Sequence, residues 1–77
     1  MRLTRREMNE LAVDREKCAA RSDAAALDGD RAAADPVNSP TLRAQAKAAA
    51  GFARRHAQEY REEAEALREG RIPGEDW

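Results

Sequence analysis

The chain has 77 residues, a net charge of −1 and one cysteine, Cys18. That length allows one small domain. The near-balanced charge argues against a general nucleic-acid coat and against an acidic mimic of DNA, and a lone thiol excludes an intrachain disulfide. No apolar run follows the N-terminal arginines, so neither a signal peptide nor a membrane span is expected, and the cytoplasm is the default location.

Leu, Ile, Val and Phe together number nine, well under the ~20% at which chains begin to look disordered. Eighteen alanines raise the apolar total, yet each methyl buries little area at about 25 cal/mol per Å². Cores of this size rarely supply more than about 3–5 kcal/mol, so a lone chain is expected to be marginal.

Thr4-Arg5-Arg6-Glu7 fits a capping box, with Thr4 as N-cap and Glu7 reaching back to the Thr4 amide, and Leu3 and Met8 are placed to staple it. The first helix is therefore expected over residues 5–34. Its best stripe is Met8, Leu11, Ala12, Cys18, Ala19, Ser22, Ala25 and Ala26, interrupted by Arg15. Asp28-Gly29-Asp30 is the weak point: the glycine costs about 1 kcal/mol relative to alanine, and a kink or break is expected there.

Asp35-Pro36-Val37-Asn38-Ser39-Pro40 cannot continue a helix. Ser39 is a natural N-cap with Pro40 at the first helical position. The second helix is expected over residues 40–69, stopped by Gly70 and Pro73. Two helices of matched length, about 45 Å each at 1.5 Å per residue, joined by a loop at 35–39, predict an all-α antiparallel hairpin over residues 1–70, followed by a tail at 71–77.

The second helix carries the clearest pattern. Ala46, Ala50, Ala53, Ala57, Tyr60, Ala64 and Leu67 alternate spacings of four and three, an a/d heptad seam of coiled-coil type. Leu42, Ala49 and Phe52 form a second, shorter strip beside it. Residues 36–58 hold Arg43, Lys47, Arg54 and Arg55 without an acid, whereas 59–77 hold seven acids against three arginines. That polarity opposes the helix macrodipole, so an antiparallel neighbour is needed, supplied by the first helix or by another copy. Lys47, Arg54, Arg61 and Arg68 recur every seven residues at position e, where charges usually pair with acids on the neighbouring helix.

No catalytic or cofactor motif stands out. His56, Glu59 and Glu63 share a face, but di-metal bundles use the reverse order, Glu-x-x-His, with a second motif that is missing here. Cys18 has no histidine near it in sequence and reads as a small packing residue. Asp28-Gly29-Asp30 lacks calcium-loop spacing. Cofactors, metals, a small-molecule substrate and an enzymatic activity are therefore not expected. The expectation is a protein–protein interaction module, an adaptor, inhibitor or assembly subunit, completed by oligomerisation or by a partner chain. Its composition suits a GC-rich bacterial, phage or mobile-element genome. The residues expected to serve association are Ala46, Ala50, Phe52, Ala53, Ala57, Tyr60, Ala64, Leu67, Ile72 and Trp77, the last two lying in the tail. The alternative is a small nucleic-acid regulator using Arg43, Lys47, Arg54 and Arg55.

Overall fold

A computed structural model describes residues 2–71 of the chain. Helix α1 spans Arg5–Ala34 and helix α2 spans Pro40–Arg68, packed against each other as an antiparallel hairpin. The molecule is a rod of 51 × 20 × 16 Å. Its radius of gyration is 16.2 Å, against about 11.5 Å for a compact domain of this length.

The helix ends follow from local chemistry. The Glu7 amide donates to Thr4 Oγ1 at 3.1 Å, and the Thr4 amide donates to Glu7 Oε1 at 3.0 Å, closing the capping box. Hydrogen bonding to the Glu7 carboxylate, first from the Thr4 amide and second from the Thr4 hydroxyl, holds its pKa below the ordinary value. Ser39 caps α2 by accepting from the Leu42 amide at 3.2 Å, with Pro40 in the first turn. Past the other end of α2, Gly70 takes φ +82°. Its amide donates to the Leu67 carbonyl at 3.1 Å, and the Arg71 amide donates to Ala66 at 2.8 Å. That pair of bonds is a Schellman motif, which satisfies carbonyls the helix leaves open.

The last turn of α1 is closed by the loop and by α2. Asn38 Nδ2 donates to the Ala32 carbonyl at 3.0 Å, and Arg43 Nε donates to the Ala33 carbonyl at 2.9 Å. Asp35 Oδ1 accepts from the Val37 amide at 2.9 Å, an Asx turn that redirects the chain.

The break expected at Gly29 does not occur: α1 runs through it as one helix. The glycine serves packing: a Cβ at Gly29 would lie 2.9 Å from the Ala46 carbonyl oxygen and 2.9 Å from Ala50 Cβ. At Gly29 the helices lie too close for a side chain to fit between them. The α1 seam also differs from the expected stripe. Ala12, Ala19 and Ala26 are buried, Arg15, Ser22, Gly29 and Ala33 are half-buried between them, and Ala25 is exposed. Arg15 does not interrupt this seam; its guanidinium leaves it to meet Glu63 at 3.0 Å.

The core among the described residues is almost entirely methyl groups. Seven of its eight buried hydrophobic residues are alanines, and Leu67 is the exception. Leu67 joins Ala12 and Ala64 at the open end of the hairpin, with Met8 and Leu11 packed against them. The larger apolar side chains are distributed the other way. Leu27, Val37, Leu42 and Phe52, all toward the loop end, are more than half exposed.

Candidate functional site

The close approach of Gly29 to Ala50, with the grouping of Ala12, Ala64 and Leu67, sets the register of the two seams. On one flank of that seam three ion pairs cross between the helices. Glu16 pairs with Arg68 at 2.6 Å, Asp23 with Arg61, and Asp30 with Arg54. Each step of seven along α1 is answered by a step of seven back along α2, the e-to-e relation of an antiparallel coiled coil. Continuing once more would set Lys47 opposite Val37, which lies beyond the end of α1. The side chains in these pairs stay roughly half exposed. They fix orientation and register while adding little stability.

The opposite flank has no such ladder. The same register places Cys18, Ala25 and Ala32 of α1 across from His56, Ala49 and Leu42 of α2. An open groove of about 340 Å³ runs along it, lined by Cys18, Arg21, Ser22 and Ala25 on one side and Ala53, His56 and Tyr60 on the other. Arg21 Nη2 donates to Cys18 Sγ at 3.3 Å within it. Phe52 stands at the outer edge toward the loop end, 56% exposed, with the Arg55 guanidinium 5.2 Å from its ring centroid. Ala25 and Ala49 are exposed, and Leu42 is 54% exposed. One flank of the hairpin is thus zipped by three ion pairs, and the other is an open groove of mixed lining, crossed by one ion pair, Arg15–Glu63, toward the open end.

The residues singled out from the sequence divide accordingly. Ala46, Ala50, Ala53, Ala57, Tyr60, Ala64 and Leu67 are all buried or half-buried in contact with α1 of the same chain. Ala53 and Tyr60 of this set also line the open groove. Of the residues expected to serve association, Phe52 is the one the structure leaves exposed. Ile72 and Trp77 lie outside the described residues.

Of the basic residues, Arg43 is engaged with the α1 carboxyl terminus, Arg54 with Asp30 and Arg55 with the Phe52 ring. Lys47 is exposed.

His56, Glu59 and Glu63 do not converge, since Glu63 is held by Arg15. Among the described residues there is no group of three or more His, Cys, Asp or Glu able to hold a metal ion. Cys18 and His56, remote in sequence, line the same groove. They are joined by the register that an α1 seam running through Arg15 and Gly29 imposes.

Compared with protein-family models, curated proteins and solved structures, the chain matches none. Among the described residues no helix is long and apolar enough to cross a membrane.

Proposed function

We propose that the protein is a non-enzymatic interaction module that docks an amphipathic helix on its open flank. The observation that carries this reading is the asymmetry of the hairpin. The seam is filled from within the chain and one flank is zipped by three ion pairs, while Leu42 and Phe52 remain exposed on the other. Two helices that bury little beyond methyl groups gain most from a third element laid on that side, where Phe52 supplies an exposed aromatic anchor. The reading covers an adaptor, an inhibitor or an assembly subunit, in the cytoplasm of a bacterium or phage-infected cell.

The test is affinity capture from the cells that make the protein, using wild type, Phe52→Asp and Leu27→Asp as baits. Leu27 is as exposed as Phe52 but follows the charged flank. A protein recovered with wild type and Leu27→Asp, and lost with Phe52→Asp, supports docking on the open flank. Equal recovery with all three baits contradicts it, and so does recovery that nuclease treatment abolishes.

A further inference from the structure

We infer that residues 72–77 of the same chain fold back as a strap over the outer face of α2 and cover Ala66. The inference goes beyond the docking reading and does not depend on it. Ala66 lies at the open end of the hairpin, about 21 Å along α2 from Phe52 at 1.5 Å per residue.

The observation that carries it is the burial of Ala66. At 3.6 residues per turn, Ala66 stands about 130° round α2 from the line between Ala64 and Leu67, the part of the seam that faces α1. The same heptad position one, two and three repeats earlier is held by Glu59, Phe52 and Gln45, and all three are exposed. Ala66 is 0% exposed. It is not part of the buried group that Leu67 forms with Ala12 and Ala64, against which Met8 and Leu11 pack.

Its neighbours along α2 do not account for this cover. Glu62, Glu69, Gly70 and Arg71 are exposed, and Glu63 is turned to Arg15. Arg71 stands where a Schellman motif usually brings an apolar contact to the residue at the position of Ala66. Its guanidinium is turned to Glu69, however, and its side chain is 46% exposed, so its stem leaves part of the Ala66 methyl for another group to cover.

The path of the chain supplies that group. Gly70, at φ +82°, reverses the backbone, and the Arg71 amide donates to the Ala66 carbonyl at 2.8 Å. The chain thus leaves α2 beside Ala66, and the next six residues hold Ile72, Pro73 and Trp77. Six residues reach up to about 20 Å, far more than the single turn required. Charge works against the contact, because Glu75 and Asp76 come to an end of α2 that already carries Glu62, Glu63, Glu65 and Glu69. Apolar burial has to hold the strap, and the indole of Trp77 is the largest apolar group available for it.

Tryptophan fluorescence of the full chain tests the strap, since Trp77 is the only tryptophan. The wild type is expected to emit at shorter wavelength than N-acetyltryptophanamide in the same buffer, equally at every protein concentration. Ala66→Glu, which sets a charge beneath the strap, is expected to abolish that shift with helicity unchanged, and Phe52→Asp is expected to keep it. A wild type that emits like the free indole overturns the inference. So does a shift that Ala66→Glu leaves intact or that Phe52→Asp also abolishes, or one that grows with concentration, which would put the covering segment on another copy. If Ala66→Glu loses helicity, NMR of the wild type decides. Nuclear Overhauser contacts from the Ala66 methyl to Ile72 or Trp77 are expected, and contacts confined to Leu3, Arg71 and the glutamates of α2 overturn it. None of these readouts uses a partner, so the strap and the docking reading fail separately.

Discussion

Gly29→Ala separates this packing account from a simple reading of helix propensity. In an open helix interior, replacing glycine by alanine gains about 1 kcal/mol. At Gly29 the new Cβ would sit 2.9 Å from the Ala46 carbonyl oxygen and from Ala50 Cβ, where ordinary contact begins at 3.4 Å. Neither neighbour is the end of a flexible side chain. The helices must therefore part by roughly half an ångström along the seam, and overpacking of this kind costs about 1–3 kcal/mol. The net effect runs from about zero to a loss of about 2 kcal/mol. Gly51→Ala is the matched control, since nothing lies within 4 Å of its Cβ position, and it should gain the full propensity term. Thermal unfolding followed by circular dichroism at one fixed protein concentration reads both variants, at about 4–8 °C per kcal/mol for a domain of this size. Gly51→Ala should raise Tm, and Gly29→Ala should leave it unchanged or lower it. Equal increases in the two variants would refute the close approach of α1 and α2.

Leu67→Ala removes the one side chain larger than alanine in the buried core of the described residues and should cost about 2–3 kcal/mol in urea unfolding, a large share of a small domain's stability. Glu7 has a depressed pKa in the folded state, so its contribution is present above the unfolded carboxylate pKa and is lost as pH falls through the folded value. Tm should decline on acidification below about pH 4.5, and Glu7→Gln should remove that part of the decline. Arg61→Glu sets like charges against Asp23 across the charged flank, and adding Asp23→Arg should restore the pair. The difference between the single and double variants should be about 1 kcal/mol or less and should shrink in 1 M salt.

The helix ends were legible because capping is local. Thr4 with Glu7, Ser39 with Pro40, and Gly70 each act within a few residues, and each forms the bonds its residue type suggests. The α2 seam was legible because its apolar residues keep strict heptad spacing. On α1 the pattern was obscured at two positions. Arg15 is charged but lends the seam its aliphatic stem, and Gly29 looks like a helix breaker yet is the residue that lets Ala46 and Ala50 approach. Without those two positions the register is lost, and with it the division into charged and open flanks. Phe52 and Leu42 were visible as a second strip. Their placement beside Cys18, Ala25 and His56 depends on the register between helices, which no single helix encodes.

The central claim, that the flank bearing Phe52 is covered when the protein works, is tested most directly by photocross-linking in the cells that make it. A photoreactive phenylalanine analogue is placed at Phe52 in one variant and at Leu27 in another, two positions of equal exposure on the two sides of the hairpin. A protein adduct is expected from position 52 and none from position 27. Adducts from 27 alone, or in equal yield from both, would contradict it.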